Sequence, residues 1–286
     1  MNISTSAVIS MSFPGLSPQT RAAKITDAGT TGYRKLGNTG LMVSPFGLGA
    51  GRVSDPDIIR LAIDRGVNVI DTARRYQNGN NEKMLGKLLK NIRKKIVLIT
   101  KVHQTIINSR KDMDKSLIES LIALRTDWID ILLIHGAKSL EDIRSQKVID
   151  FFTRAKESGK IRFCGFSSHT RQLELFKAAL HDRFYDVVLI PYNHAGMFDH
   201  TVYGFHSSWD QDELEKEMER AVSVGIGVIA MKTCSAGPLK AKGVEKPTYS
   251  AALKWVAANK NVSTMTVALG NFEEFHEDIS VMDSVQ

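Results

Sequence analysis

The 286-residue chain has few cysteines and no long apolar segment. Its two cysteines, Cys164 and Cys234, do not form a C-x-x-C pair, so a disulfide framework or a structural zinc site is not expected, and a reducing compartment is favoured. No apolar stretch reaches the roughly 18 residues that a helix needs to cross a bilayer. The sequence therefore predicts a cytoplasmic protein without a membrane partner.

The chain also lacks a concentrated block of charge. It has 38 Lys and Arg residues against 31 Asp and Glu, and the formal net charge of +7 is spread along the chain apart from Arg93–Lys95. No basic block is interleaved with aromatic residues, so we expect no nucleic-acid partner. A diffuse positive charge suits an anionic cofactor at least as well as it suits nucleic acid.

The first 32 residues differ in composition from the rest of the chain. They are rich in serine and threonine, and Asp27 is their only acidic residue. We expect residues 1–32 to be a disordered leader, with an organellar transit peptide as the alternative, although such peptides normally carry more arginine. Residues 33–286 are predicted to form one domain, since α/β barrels reach this length as a single unit.

After the leader, short apolar segments alternate with segments of helical period. Residues 33–44 come first and predict a β-hairpin around a glycine-rich turn. Eight strands are predicted, at 45–48, 67–71, 96–101, 129–135, 161–166, 187–191, 226–231 and 265–269. Helices are predicted near 55–65, 81–91, 111–124, 141–158, 170–181, 210–224 and 248–259, and a last one starts near Phe272.

Eight strands that alternate with eight helices favour a closed parallel (β/α)8 TIM barrel, an α/β fold, over an open doubly wound sheet. The open sheet would normally carry G-x-G-x-x-G after its first strand. Here Gly47 and Gly49 are followed by no third glycine at the required offset. The longest irregular stretch is predicted at 193–209, after the sixth strand.

Polar residues follow three of the predicted strands. Asp71 ends the second strand, Tyr76 lies five residues later, Lys101 ends the third strand and His135 ends the fourth. The carboxyl ends of barrel strands meet at one mouth, so these side chains are expected to converge there. Because an unpaired buried charge costs several kcal/mol, Asp71 and Lys101 are expected to pair.

An ion pair that only closes the barrel would account for two of these residues, but the four together predict catalysis by proton transfer to a developing alkoxide. A neighbouring Lys101 ammonium would lower the pKa of the Tyr76 phenol, and Asp71 would keep that lysine charged. His135 would orient a carbonyl group and donate to its oxygen. A cofactor would deliver the hydride to the carbonyl carbon.

The segment that contains two of these residues resembles the signature of the aldo-keto reductase family. The resemblance covers roughly residues 33–280, and the chain is most similar to the branch whose seventh strand ends Ala-Met-Lys. The segments that carry it are Tyr33–Leu41, Ile70–Tyr76, Asn80–Gly86, Thr100–Lys101, Asp127–Ile131, Lys156–Arg162 and Ala230–Lys232.

The resemblance implies a barrel enzyme that reduces aldehydes or ketones, with Tyr76 as the general acid. It implies NADP(H) rather than NAD(H) as cofactor, a small carbonyl substrate, and a monomer or loose homo-oligomer. Cofactor-binding roles are implied for Gly49, Ser167, Ser168, Met231, Lys232, Thr233, Gly270, Glu277 and Asp278. Substrate-binding roles are expected for Arg52, Gln104 and Asn193.

The chain departs from the family pattern at three cofactor positions. Ser168 replaces an asparagine, Leu189 replaces a glutamine, and Gly270 stands where an arginine or lysine would bind the 2′-phosphate. Loss of that cation weakens the preference for NADP(H). No cysteine follows Cys234, so the iron–sulfur cluster of some members of this branch is not expected.

Two other functions compete with the reductase. The family also includes a channel-associated subunit that senses the cofactor, so a weakly catalytic scaffold or regulatory subunit is the alternative; the intact set of Asp71, Tyr76, Lys101 and His135 disfavours it. A metal-dependent barrel hydrolase would need H-x-H and carboxylate ligands at its strand ends, which the sequence lacks. The evenly spaced His194, His200 and His206 lie in one predicted loop and are not expected to bind a metal.

Overall fold

The computed structural model describes residues 32–200, 204–241, 243 and 245–282. The predicted leader lies outside these residues, except for Gly32. The strands are β1 Arg34–Lys35, β2 Met42–Val43, β3 Phe46–Gly49, β4 Val69–Asp71, β5 Val97–His103, β6 Ile129–His135, β7 Ile161–Ser167, β8 Val187–Pro191, β9 Met197–His200, β10 Phe205–Ser208, β11 Gly227–Met231 and β12 Thr264–Ala268. The helices are α1 Pro56–Asp64, α2 Asn80–Leu88, α3 Arg110–Leu124, α4 Leu140–Arg144, α5 Gln146–Glu157, α6 Gln172–Asp182, α7 Gln211–Val224, α8 Tyr249–Ala258 and α9 Phe272–Ile279.

Eight parallel strands close into a barrel, in the order β3-β4-β5-β6-β7-β8-β11-β12, and β12 pairs again with β3. This confirms the predicted (β/α)8 fold, because helices connect successive strands around the outside. The register brings the polar strand ends together: Asp71 pairs with Ile99, and His103 pairs with His135. The carboxyl ends of β4, β5 and β6 thus form one side of the mouth.

Polar side chains start several helices where the sequence indicated. Asp55 caps α1 by accepting a hydrogen bond from the Asp57 amide, and Asp210 caps α7 in the same way from Glu213. Ser139 and Asp142 form a reciprocal capping box at α4. The segment predicted as one helix at 141–158 is divided into α4 and α5, because Ser145 adopts an extended backbone conformation between them.

The stretch predicted to be irregular at 193–209 contains a short antiparallel hairpin, β9 paired with β10. Its burial alternates, with Phe198 and Ser207 turned inward and their neighbours exposed. This two-residue period is the pattern of a half-buried strand, but each strand spans only four residues, too few for the sequence to show it clearly.

The predicted N-terminal hairpin, β1 and β2, is confirmed. It contacts the segments that precede two barrel strands, because the Asn68 side-chain amide donates to the Met42 carbonyl oxygen and the Asn38 amide donates to that of Gly225. Leu36 is fully buried, and a Cβ at Gly227 would lie 2.6 Å from its side chain. The Arg34 guanidinium donates to the carbonyl oxygens of Ala257 at 2.5 Å and Val262 at 2.7 Å. Arg34 therefore connects the hairpin to the end of α8 and to the segment before β12.

Candidate active site

A buried ion pair lies at the centre of the barrel mouth. The Lys101 Nζ atom donates to Asp71 Oδ1 at 2.5 Å and to the Thr72 carbonyl oxygen at 2.9 Å. Lys101 is 2% exposed and Asp71 is 4% exposed. Burial alone would lower the pKa of Lys101, but the charge and hydrogen bonding of Asp71 and Tyr76 outweigh it, so the pKa of Lys101 is raised and its ammonium stays charged.

Tyr76 lies beside this ammonium. Lys101 Nζ is 5.0 Å from the centroid of the Tyr76 ring, and a Cβ at Gly51 would lie 3.1 Å from an atom of the same ring. After Tyr76 the backbone turns sharply, because Gln77 and Asn78 both adopt left-handed conformations, with φ of 50° and 54°. The Gln77 amide donates to the Val53 carbonyl oxygen at 2.9 Å and fixes this turn.

Two buried polar side chains of α2 hold the loop that carries Tyr76 in place. Asn81 accepts from the Thr72 hydroxyl at 2.6 Å and donates to the Ala50 carbonyl oxygen at 2.8 Å. Glu82 accepts from the Thr100 hydroxyl at 2.7 Å and pairs with Arg74. Sequence reasoning assigned no role to Asn81 or Glu82, although polar residues at the start of an amphipathic helix were a visible signal.

His135 completes the predicted catalytic set. Its ring meets the Tyr76 ring edge-on, with 5.6 Å between centroids. Burial lowers the pKa of His135 well below its usual range, and the charge of Lys101 lowers it further, so the imidazole is neutral at neutral pH. Its Nδ1 atom is buried without a hydrogen-bond partner. The structure therefore brings all four predicted catalytic residues together.

Further imidazoles surround these groups. The His103 and His135 rings meet edge-on with 5.7 Å between centroids, and the His169 and His200 rings do so at 5.8 Å. Burial lowers the pKa of His169 to about 3, helped by the charges of Lys232, Lys101 and Lys138. Its Nδ1 atom is also buried without a partner. Sequence reasoning did not single out His169, although it directly follows two predicted cofactor residues.

The hydroxyl groups of Ser167 and Ser168 bond to nearby backbone. Ser167 Oγ accepts from the Gly136 amide at 3.0 Å and donates to the Ile134 carbonyl oxygen at 3.3 Å. Ser168 Oγ lies 2.9 Å from the carbonyl oxygen of Ala137. Both residues are almost fully buried, so their side chains join β7 to the loop after β6.

The end of β11 places the predicted cofactor residues 231–233 beside the β9–β10 hairpin. Met231 is 8% exposed and Thr233 is 2% exposed. Lys232 has a left-handed backbone with φ of 58°, and its Nζ atom is 5.3 Å from the centroid of the Phe198 ring. Burial lowers the pKa of Lys232. This cation faces the mouth from the side opposite Lys101.

Two glycines that were predicted to contact the cofactor have different surroundings. A Cβ at Gly49 would lie 3.2 Å from the Val267 carbonyl oxygen, so its space is filled by the adjacent strand β12. A Cβ at Gly270 would lie 2.8 Å from Arg52 Nη2. Arg52, predicted to contact substrate, pairs with Glu274 at 3.2 Å at the start of α9.

The acidic residues of α9 have distinct positions. Glu277 accepts from the Tyr249 amide at 2.9 Å and thus caps α8. Asp278 is 6% exposed, and its Oδ1 atom is buried without a partner. Burial raises the pKa of Asp278 to about 7, and the charges of Glu277 and Glu274 contribute. Near neutral pH this carboxyl group can therefore both donate and accept a hydrogen bond.

The other predicted substrate residues lie on two loops. Gln104 begins a 3-10 turn directly after β5, beside His103. Asn193 is fully buried, and its amide donates to the carbonyl oxygens of Met197 and Lys232. Its side chain joins the β9–β10 hairpin to β11, so it is in a position to shape the mouth through these two elements.

The three evenly spaced histidines have different neighbours. His194 lies near the Trp255 ring, His200 lies near His169, and His206 pairs with Asp199 at 2.8 Å. Within the described ranges, no group of three or more His, Cys, Asp or Glu side chains is arranged to bind a metal ion. The same ranges contain no helix of the length and apolarity required for a membrane span.

The structure thus combines a closed (β/α)8 barrel with Asp71, Tyr76, Lys101 and His135 at its mouth. A sequence profile of the Aldo/keto reductase family matches residues 46–285. The chain belongs to this family, which confirms the resemblance seen in its motifs.

Individual relatives agree with this assignment. L-galactose dehydrogenase of Arabidopsis thaliana is 29% identical over 301 aligned positions, which cover 88% of each chain. Among solved structures, the holo form of aldo-keto reductase AKR11C1 from Bacillus halodurans superposes with a TM-score of 0.70 at 22% identity, covering 88% of this chain and 90% of that one. An aldo/keto reductase from Klebsiella pneumoniae in complex with NADP and acetate gives a TM-score of 0.67 at 19% identity, covering 87% and 89% of the two chains.

Proposed function

We propose that the protein reduces aldehydes or ketones to alcohols with NAD(P)H, and that Tyr76 is the general acid. The observation that carries this proposal is the contact of one phenol with a charged lysine and a neutral imidazole at the barrel mouth. Membership of an oxidoreductase family supports it.

The residues of the chain fit a nicotinamide dinucleotide. The unpartnered buried atoms His135 Nδ1, His169 Nδ1 and Asp278 Oδ1 lie around the mouth and at α9, where a polar ligand would satisfy them. Lys232 and Arg52 supply cations for its phosphates. Ser167 and Glu277 would contribute mainly through the backbone segments to which their side chains bond. When bound, the reduced cofactor supplies the hydride that the carbonyl carbon gains, and it is oxidised.

The chain supplies the proton and the geometry. The carbonyl oxygen of the substrate would accept hydrogen bonds from the Tyr76 hydroxyl and from neutral His135, which orients the carbonyl group and polarises it. As negative charge develops on this oxygen, Tyr76 transfers its proton to it. The Lys101 ammonium stabilises the phenolate that remains, and Asp71 keeps that ammonium in place. A proton from solvent then restores the phenol.

We infer that NADP(H) is preferred over NAD(H). Arg52 comes from the turn after β3, but its guanidinium occupies the space beside Gly270 where a side chain at that position would lie. Arg52 can therefore replace the cation that family members carry in the loop after the eighth strand. To bind the 2′-phosphate, its guanidinium would exchange the Glu274 carboxylate for the phosphate.

A cofactor titration followed by turnover tests this function. NADPH and NADH are titrated into the purified protein while cofactor fluorescence is recorded, and reduction of an aldehyde panel is then measured for wild type and Tyr76→Phe. We expect micromolar binding, and turnover that depends on Tyr76. Binding without turnover would instead support the scaffold alternative, and absence of binding of either cofactor would overturn the reductase assignment.

A further inference from the structure

Two exposed cations stand at the rim of the mouth next to the catalytic residues. Arg75 directly precedes Tyr76, and Lys138 lies three residues after His135. Among the described residues, neither side chain is within ion-pair distance of an acidic group; only the backbone amide of Lys138 contacts Asp142, at 2.7 Å. The arginine directly before Arg75 differs, because Arg74 is paired with Glu82.

Arg75 is connected to the catalytic imidazole through His103. Arg75 Nη1 lies 2.8 Å from His103 Nε2, and His103 Nδ1 lies 2.8 Å from the Thr105 hydroxyl. The Thr105 backbone amide also points to His103 Nδ1, at 3.2 Å, and a neutral imidazole can accept from this amide or from the guanidinium but not from both. The remaining N–H groups of Arg75 are available to a ligand that lies against His103 and His135.

The charged side chains at the mouth that have no acidic partner among the described residues, Arg75, Lys138 and Lys232, are all positive. Burial lowers the pKa of His103, and the charges of Arg75 and Lys138 lower it further. Lys138 and Lys232 act in the same direction on the pKa of His169. Asp71 does not compensate these charges, because it is buried and bonded to Lys101. A cleft lined by unpaired positive charge attracts and orients an anion.

We propose that the carbonyl substrate carries an anionic group, a carboxylate or a phosphate, which Arg75 and Lys138 bind while the carbonyl oxygen lies at Tyr76 and His135. The guanidinium of Arg75 matches the two oxygens of such a group, and the Lys138 ammonium adds a second positive charge. This inference rests on the proposed reductase function and specifies its substrate class.

Matched substrates separate the charge from the shape of the ligand. 4-Formylbenzoate and its methyl ester present the same aldehyde on the same ring, but only the first is an anion. We expect wild type to have a kcat/KM for the anion at least about tenfold above that for the ester, mostly through KM. Added salt should reduce this ratio, since ions screen exposed charges.

Substitutions of Arg75 and Lys138 test whether these two residues cause the preference for the anionic substrate. Arg75→Gln and Lys138→Gln should each lower the ratio of anion to ester several-fold, and the double variant should bring it close to one. Arg75→Lys, which keeps the charge, should restore part of it. Lys90→Gln removes the same charge after α2, at the opposite end of that helix from the mouth, and should keep the wild-type ratio. A second pair, glyceraldehyde and its 3-phosphate, shows whether the site selects carboxylate or phosphate.

A binding measurement keeps the substrate class separate from the reaction itself. Calorimetric titration of 4-formylbenzoate and its ester into the protein with oxidised cofactor gives affinities without turnover. Tighter binding of the anion that disappears in the double variant would support the inference even if no reduction were seen. Equal affinity for both compounds, or a preference that survives loss of both cations, would overturn it while leaving the reductase function intact.

Discussion

Lys101 Nζ lies 2.5 Å from Asp71 Oδ1, and both groups are buried at the end of the barrel interior. The carboxylate and the Thr72 carbonyl oxygen occupy one side of the ammonium, and the Tyr76 ring occupies another, with its centroid 5.0 Å away. The lysine therefore neutralises a buried acid, and its positive charge also lies beside a phenol.

Removal of one partner of this pair is expected to cost stability as well as activity. Lys101→Met leaves Asp71 buried without its counter-charge, which should lower the free energy of unfolding by about 3–5 kcal/mol. Lys101→Met combined with Asp71→Asn removes both charges and should recover much of this loss, although not the activity. Urea denaturation of the three proteins gives the comparison. Equal stability of the single and double variants would contradict the buried-pair argument.

Tyr76→Phe should reduce the rate of carbonyl reduction by about 10²–10⁴-fold, because the carbonyl oxygen then has no positioned acid. The phenyl ring retains the contact with Gly51, so the fold and the cofactor affinity should change little. Single-turnover kinetics and cofactor fluorescence measure the two properties separately. A variant that kept its rate would remove Tyr76 from the mechanism.

Acidification should destabilise the protein through its buried histidines. The folded-state pKa of His169 is about 3, against an ordinary value of 6.5, so between these values the unfolded chain binds a proton that the folded chain does not. The free energy of unfolding should therefore fall as pH drops below 6.5, by up to about 1.4 kcal/mol per pH unit from this residue. His135 acts in the same direction.

The variant His169→Gln checks this assignment. Unfolding free energies at pH 7, 6 and 5 should decline less steeply in the variant than in wild type, because one depressed imidazole has been removed. An identical slope in the two proteins would show that other groups cause the acid sensitivity.

Arg52→Gln should change cofactor discrimination. Because Arg52 stands beside Gly270 and is 61% exposed in its pair with Glu274, its loss should weaken NADPH binding by about tenfold and NADH binding by less than about twofold. Arg60→Gln, on α1 and paired with Asp57, is the matched control and should leave both affinities unchanged. Parallel changes for both cofactors would contradict a role at the 2′-phosphate.

The architecture could be predicted from the sequence, and so could the convergence of Asp71, Tyr76, Lys101 and His135 at the mouth, because both depend on local pattern. All eight barrel strands lie within two residues of their predicted bounds, and β6 at Ile129–His135 matches its prediction. Asp71 and Lys101 could be paired in advance, because adjacent parallel strands bring their carboxyl ends together and a buried charge requires a partner.

Other positions depend on contacts that the sequence does not reveal. Arg52 reaches Glu274, 222 residues away, only because β3 and β12 close the barrel. The sequence predicted that Asn193 binds substrate. Its side-chain amide donates to two carbonyl oxygens, one in the β9–β10 hairpin and one directly after β11, because these buried acceptors need a donor. The isolated positions of Arg75 and Lys138 became visible only when their neighbours in space were known.

The bonds from Arg34 to the carbonyl oxygens of Ala257 and Val262 also have a consequence for how the chain acquires its structure. The first described strand cannot reach its final contacts until more than two hundred later residues have been synthesised and have folded around the barrel. Such a high contact order is typical of slow folding, and a nascent chain that still lacks β12 would present open strand edges. We therefore expect the barrel to close after translation, and partially synthesised chains to depend on protection from aggregation.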